Sequence, residues 1–289
     1  MKLSILSPAK INLYLDVLNK RSDGYHNIQS IMQTVSLYDE IFLNVSESTK
    51  ISNEISIFSD NTAITWDKSN LVYKSAEKFL ASANISFKKI VFEVKKSIPI
   101  CAGMAGGSAD AAAVLKLLNH AFNYPLSTNE LLSLGATLGA DVPFCILGGT
   151  YLCEGIGERL TKLPTLKDVY LVCVMGNEPK ISTAHAYSEI DKKYGIECTS
   201  SNDIDKIINA ISAKNISKIS SLLFNKFEEV SSPEVYKIKA LLLENGALGS
   251  LMSGSGPSVF GIFEDEESAK TAFLKICSCF NKVFLCKTV

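Results

Sequence analysis

The spacing of apolar residues changes along this chain, and each change marks an element. Residues 3–18 alternate as a half-buried strand does, with "SPAKIN" expected as a break inside or beside it. "RSDGYHNI", residues 21–28, reads as a loop built on the Asp23-Gly24 turn, and 31–45 and 51–58 read as further strands. The period then lengthens. Apolar residues at 71, 72, 76, 79 and 80 form a helical stripe behind a cap at Ser69 or Asn70. "KIVFEVKKSIPI" is a strand running straight into a small-residue loop, after which 108–122 and 127–139 read as helices, the second opened by a Ser127/Glu130 capping pair.

Downstream, "GADVPFCILGGTYLCEGIGERL" predicts a compact turn, a short apolar strand, a glycine pair and another strand. "VYLVCVM", 169–175, has the pattern of a buried strand and is expected to open a second domain after the polar, proline-containing stretch 158–168. Helices are expected over 183–192, 202–212, 215–229 and 233–244. A flexible loop then enters a strand over 253–263, a helix covers 265–277 and a strand closes the chain. Strands with intervening helices imply an α+β fold in two layers, without internal repeats, and the expected domains are 1–160 and 161–289.

Composition narrows this picture in a few places. A chain of 289 residues, 47% hydrophobic and 20% charged, is an ordinary folded protein long enough for two cores. A net charge of -1 offers no field to recruit nucleic acid or an acidic membrane. The start, "MKLSILSPAKINLYLDV", is broken by Pro8, Lys10, Asn12 and Asp16, unlike a signal-peptide core or a membrane span, so a cytoplasmic protein is expected. The eight cysteines, Cys101, Cys145, Cys153, Cys173, Cys198, Cys277, Cys279 and Cys286, lack the paired spacing of a zinc knuckle and are expected to be structural. Cys277 and Cys279 would share a face only if both lay on one strand, and two ligands are too few for a metal.

The candidate chemistry starts at "PICAGMAGGSADAAA", residues 99–113. No lysine with serine or threonine follows the glycines, which excludes a P-loop, and the glycine spacing excludes a dinucleotide fingerprint. What remains is a strand end, a turn lined by backbone N–H groups and a helix N-terminus near Ser108, an arrangement suited to an anion; close packing of a small-residue turn is the alternative. Lys10 in an otherwise apolar strand is either solvated or paired with an anion, and Asp141 in "LGADVPF" is either a turn residue or a carboxylate needing a partner. If the two meet, the lysine keeps the aspartate ionised and the aspartate orients or deprotonates a hydroxyl. "LMSGSGPSV" adds another flexible loop ahead of a strand. Small-residue loops around one lysine and one aspartate point to phosphoryl transfer, where positioning and charge do most of the work.

The chain resembles the GHMP kinase family. "SPAKINLYLDV" (7–17), "PICAGMAGGSADAA" (99–112) and "LMSGSGPSVFGIF" (251–263) carry the general likeness. "KRSDGYHNIQSIMQTVSLYD" (20–39), "LGADVPFCILGGTYLCEGIGE" (138–158) and "ISTAHAY" (181–187) look specific to members acting on a cytidine diphosphate alcohol. The resemblance implies the GHMP kinase fold: an amino-terminal domain like domain 2 of ribosomal protein S5, a carboxy-terminal α/β domain, and a cleft between them. It implies ATP-dependent phosphorylation of a hydroxyl on a small-molecule cytidine diphosphate substrate by a monomer or weak homodimer. ATP would be held by Asn70, Lys96, Pro99, Ile100, Cys101, Ala102, Gly103, Met104, Ala105, Gly106, Gly107, Ser108 and Ala109, with Mg2+ near Ser108. Asp141 and Lys10 match the family's catalytic aspartate and its partnering lysine.

On the substrate side the resemblance implies Asn12 at the hydroxyl, Tyr25 and Tyr187 against the base, His26 at its edge and Thr183 near the diphosphate. His120 and His185 carry no expected role. Cys101, Ala102 and Ala105 stand where the family pattern is richer in glycine, and ordinary backbone dihedrals are expected there. Lys95 and Lys96 precede the phosphate loop: either one of them reaches ATP or both are solvated strand-end charges. "VMGNEP" lacks the proline usual after that strand. Rival readings are another small-molecule kinase of the family, acting on homoserine, mevalonate or a sugar, and a nucleotide-binding member without activity.

Overall fold

Strand β1, Lys2–Lys20, runs unbroken through "SPAKIN", where a break was expected. The two-residue ladder that β1 makes with a late strand reaches only Tyr14 and Leu15. Pro8 lies outside it, so its missing N–H breaks no bond of that ladder. The computed structural model describes residues 1–46, 54–86, 89–178, 181–195 and 204–289. Parts of two expected elements, 51–53 and 202–203, lie outside the described residues, as does Cys198.

After β1 come β2 (His26–Ser46), β3 (Glu54–Ser59), α1 (Leu71–Ser82), β4 (Lys89–Lys95), α2 (Gly106–Ala121), α3 (Thr128–Ala136) and α4 (Val142–Leu147). Next are β5 (Thr150–Gly155), β6 (Arg159–Lys162), β7 (Tyr170–Met175), α5 (Thr183–Tyr194), α6 (Ile204–Ser212), α7 (Ile216–Ser221) and β8 (Phe224–Asn225). The last are α8 (Pro233–Glu244), β9 (Gly249–Met252), β10 (Ser258–Phe263), α9 (Glu266–Ile276) and β11 (Val283–Lys287). Two units emerge, each drawn from separated stretches: 1–9, 37–100 and 105–147 form the first, and 10–36, 101–104 and 148–289 the second.

In the first unit β4 pairs antiparallel with the later half of β2, Glu40 opposite Lys95, and parallel with β3, Glu54 opposite Lys89. Helix α2 packs on α1 and α4, and Ala111, Ala112 and Ala113 are buried, so its lack of bulk lets the helices approach closely. In the second unit the early half of β2 pairs with β5, Ile28 opposite Gly155, and β5 continues into β6. A four-stranded antiparallel sheet, ordered β11-β7-β10-β9, backs onto α8 and α9 through Val172, Val174, Ile238, Leu242, Phe263 and Ile276.

Several expectations are corrected. "VPFCIL" is helix α4, not a strand: a six-residue apolar run has no period to separate the two. Residues 215–229 are not one helix. Helix α7 stops at Ser221, β8 follows, and a 3-10 turn covers Lys226–Val230. Asn225 forces this interruption, its side chain donating to the carbonyls of Met252 and Gly254 and accepting from Phe227 N–H. β2 begins at His26, inside the expected loop, and α2 begins at Gly106 rather than Ser108. Cys277 caps α9 and Cys279 lies in the turn after it, so neither is on a strand. The seven described cysteines are free thiols.

Candidate active site

The small-residue loop divides between the two units. In the first unit, Ala105 is the N-cap of α2 with φ 58°, and its methyl group makes no capping hydrogen bond. Helices α1, α3, α5 and α9 are capped by the side chains of Asn70, Ser127, Ser182 and Asp265. The N-cap therefore supplies no side-chain acceptor to the first-turn N–H groups of the 16-residue α2, which leaves them for an anion. Cys101 also takes a left-handed φ, 56°, so the expectation of ordinary dihedrals fails at Cys101 and Ala105 and holds at Ala102. The turns on either side of Gly103 impose this, at about 1–2 kcal/mol for each residue carrying a Cβ.

Gly106 leaves little room for a side chain: a Cβ there would stand 3.0 Å from Ile98 Cγ2 and 3.5 Å from Lys96 Nζ, so Ile98 would have to shift by a few tenths of an ångström. The Ser108 hydroxyl lies near Gly139, 3.9 Å from where a Cβ on that glycine would be. Asp141 follows in the same turn, half-buried, its carbonyl accepting Cys145 N–H at 3.0 Å to open α4. Pro99 and Ile100 lead into the loop and Ala109 is buried behind it. Asn70 spends its side chain on α1, accepting from Val72 N–H at 2.9 Å and donating to the Thr65 carbonyl.

Lys96 is not a solvated strand-end charge: its side chain is 4% exposed. It donates to Asp39 and, at 2.6 Å, to Asp110. The other oxygen of Asp39 accepts the N–H groups of Ser97 and Ile98 at 2.6 and 2.8 Å, so one buried carboxylate holds both the lysine and the backbone just ahead of the loop. Burial pulls the Lys96 ammonium down, but Asp110 and Asp39 outweigh it and the net shift is upward. Asp110 is pushed up to about 7 by burial, Lys96 opposing this and the charge of Asp39 adding to it, and its Oδ1 is buried without a hydrogen-bond partner among the described residues. Lys95, by contrast, lies over the Phe42 ring at 4.9 Å.

The second unit holds the other half of the loop. Met104 is buried and its carbonyl accepts Lys10 N–H at 3.1 Å, while the Ala102 carbonyl accepts Ser258 N–H at 3.2 Å. Gly103, φ 77°, presses so closely on the later glycine loop that a Cβ would fall 2.1 Å from the Ser253 carbonyl oxygen. Lys10, 4% exposed, donates its ammonium to Asn12 Oδ1 at 2.7 Å, and that oxygen also accepts Gly254 N–H at 3.0 Å. Asn12 Nδ2 donates to Ser30 Oγ, which donates to the Tyr14 carbonyl. Asn12 thus ties the lysine to the "SGSG" loop. Thr183, the first residue of α5, shares a 2.8 Å hydrogen bond with Ser255 of the same loop.

His26 and Tyr187 are brought together, their rings stacked at 4.6 Å with 10° between the planes, and Phe227 meets Tyr187 edge-on at 4.9 Å. Tyr25 is 61% exposed, its N–H held by Asp23, which Arg21 pairs. His120 tilts against Tyr124, and His185 sits 3.7 Å from Glu189 on the α5 surface. Sequence reasoning missed Asp39, Asp110, Ser30, Asn225 and Asp191. For Asp39 and Asp110 the available signal was a carboxylate inside an apolar strand or an alanine helix, where a buried charge requires a partner. Among the described residues no three or more His, Cys, Asp or Glu are grouped to hold a metal ion, and no helix is long and apolar enough to cross a membrane.

Against known proteins, residues 70–149 match the model of the GHMP kinases N terminal domain and 196–282 that of the GHMP kinases C terminal domain. The chain is 42% identical over 290 aligned residues to 4-diphosphocytidyl-2-C-methyl-D-erythritol kinase of Clostridium tetani, covering 99% of this chain and 100% of that one. The chain belongs to the GHMP kinase family. A Clostridium kluyveri protein of the same name is 43% identical over 286 residues, 97% of this chain and 98% of that one. A crystal structure of 4-(cytidine 5'-diphospho)-2C-methyl-D-erythritol kinase superposes with a TM-score of 0.78 at 27% identity, covering 99% of both chains. Mevalonate kinase of Methanococcus jannaschii shares the fold, with a TM-score of 0.76 at 18% identity over 100% and 99% of the two chains. The architecture is that of a two-domain α+β GHMP kinase.

Proposed function

We propose that this GHMP kinase transfers the γ-phosphoryl group of ATP to the 2-hydroxyl of 4-diphosphocytidyl-2-C-methyl-D-erythritol, giving the 2-phosphate and ADP, a step of the non-mevalonate route to isoprenoids. The observation that carries the reading is the full-length likeness to the Clostridium tetani kinase at 42% identity. The division into family domains 1–160 and 161–289 is part of the proposal. It is supported by the confinement of the four-stranded sheet to residues 170–287 and by family matches that end at 149 and resume at 196.

The residues fit a phosphate-bearing nucleotide. Helix α2 offers an uncapped N-terminus, and Gly106 and Gly107 leave no side chain over it. The proposed ATP contacts run from Pro99 to Ala109, with Lys96 beneath and Asn70 at the start of α1. Magnesium, a hard cation suited to oxygen donors, would take Ser108. When bound it would offset the negative charge of the transferring phosphate.

In this reading Asp141 orients the substrate hydroxyl and accepts its proton, and Lys10 offsets charge that develops as the phosphoryl group moves. Asn12 holds Lys10 and the 253–256 loop in register with the acceptor hydroxyl. Thr183 approaches the substrate diphosphate, and Tyr25, Tyr187 and His26 receive the cytosine. The exposed Tyr25 ring and the stack of the buried His26 on the half-buried Tyr187 support a planar guest. ADP release should be compared across the cytidylated alcohol, homoserine and mevalonate with magnesium present. Preference for the cytidylated alcohol is expected; preference for either of the others, or no ADP from any, refutes the reading.

A further inference from the structure

Helix α5 presents Tyr187 and Asp191 one turn apart, so both side chains lie on the same face. That face meets His26 at two points. Tyr187 stacks on the imidazole plane, and Asp191 Oδ1 lies 2.6 Å from Nε2. The other carboxylate oxygen of Asp191 accepts from Lys20 Nζ at 2.7 Å. Burial pushes the Asp191 carboxyl up, but the hydrogen bonds from Lys20 and His26 and their charge leave it below the usual carboxylate range. An ionised carboxylate only accepts hydrogen bonds, so Nε2 of His26 carries the proton of this contact. In the neutral imidazole, Nδ1 is then an acceptor, and among the described residues it has no hydrogen-bond partner.

We propose that Asp191 is a specificity-determining positioning residue: by fixing His26 in the Nε2–H tautomer it presents Nδ1 as an acceptor matched to the 4-amino group of cytosine. The inference rests on the cytidylated substrate proposed above. Cytosine offers an N–H donor at position 4, where uracil offers a carbonyl oxygen. A fixed acceptor pairs with the first and opposes the second, so the tautomer itself discriminates between the bases. Tyr187 blocks rotation of the ring out of its plane, and Lys20 keeps Asp191 charged and in place.

Two measurements test this at pH 7.5. The first is the tautomer of His26 in the free protein, read from long-range ¹H–¹⁵N correlations of an imidazole-labelled chain, which has three histidines to assign. The second is the ratio of kcat/KM for the cytidine diphosphate alcohol over its uridine counterpart. The wild type should show Nε2 protonated and Nδ1 bare. Asp191→Ala should show a mixture of tautomers and a base-selectivity ratio lowered by about tenfold or more, with KM for ATP unchanged. Asp191→Asn, which keeps the shape and one acceptor oxygen, should fall between the two and guards against misfolding of the alanine variant. A wild-type Nδ1–H tautomer or a doubly protonated ring overturns the proposal, as does an unchanged ratio in a folded Asp191→Ala. If the wild type phosphorylates neither diphosphate alcohol, the functional reading falls and this inference with it, whatever the tautomer spectrum shows.

Discussion

Replacing Asp110 by asparagine removes one charge from a buried cluster that sets two carboxylates against one ammonium. In the folded chain Asp110 is raised from 3.8 to about 7, first by burial and then by the nearby charge of Asp39, against the attraction of Lys96. The native state therefore keeps a proton over a pH range in which the unfolded chain has released it. The stability this confers is complete below about pH 4 and is lost as pH rises through about 7. A displacement of that size corresponds to on the order of 4 kcal/mol between the two limits. Asp110→Asn lacks this slope, and it leaves Lys96 and Asp39 as a one-to-one pair with Asp39 still bound to Ser97 and Ile98. Any cost of placing an amide beside the unpartnered Oδ1 site is independent of pH. Urea unfolding of both proteins at pH 5, 6, 7 and 8 and constant ionic strength provides the assay. The variant should gain on the wild type steadily with pH, and parallel profiles, or a difference that shrinks toward pH 8, would refute the buried-charge argument.

Asp141→Asn keeps the side chain's size and removes its charge, so turnover at saturating substrates should fall by about 10²-fold or more while circular dichroism stays native. Lys10→Ala should depress turnover as well and also lower the melting temperature, because Asn12 then loses a buried donor. Tyr25→Ala and His26→Ala should weaken titrated binding of the cytidylated substrate far more than binding of ATP; equal losses for both ligands would mean a collapsed site. Gly103→Ala places a methyl group 2.1 Å from the Ser253 carbonyl at a φ of 77°. It should cost about 2 kcal/mol or more, seen as a melting temperature lower by several degrees.

Helical periods and caps made α1, with a cap at Ser69 or Asn70, and α3, with its capping box, legible in the sequence, and β7 and β10 stood out as apolar runs read as strands. Failures gathered where distant contacts decide local structure. Nothing near 222–225 in sequence announces that Asn225 must reach two carbonyls in the 252–254 loop, yet that demand ends α7. The left-handed Cys101 and Ala105 defied the expectation drawn from their Cβ atoms because a folded loop pays local strain to satisfy its two ends. At the candidate site, glycines, Lys10, Asp141 and the "DGYH" turn stood out because each breaks an apolar pattern. Asp39 and Asp110 each break one too, but their meaning depends on Lys96 meeting both, and no local rule pairs a residue of β2 with one of α2. Asp191 sits on an ordinary polar helix face, and only the position of His26 against that face gives it a role.

Strands β1 and β2 belong partly to each unit, and this has a bearing on how the chain is made. The ribosome supplies every residue of the first unit by Leu147, whereas the second needs partners as late as Val289, whose carbonyl accepts from Gln33 across 256 residues of chain. Leu15 and Val17, buried in one core with Val172, Ile238, Phe263 and Ile276, are thus synthesised early and wait through most of translation for the strands and helices they pack against. A nascent chain in that state presents an apolar stretch to chaperones and to other nascent chains. Loss of a few residues near 288 would not merely trim an end, because Thr288 bridges to Val35 and its carbonyl accepts Asp168 N–H. It would leave Val35, in the earliest-made part of the second unit, without that bridge.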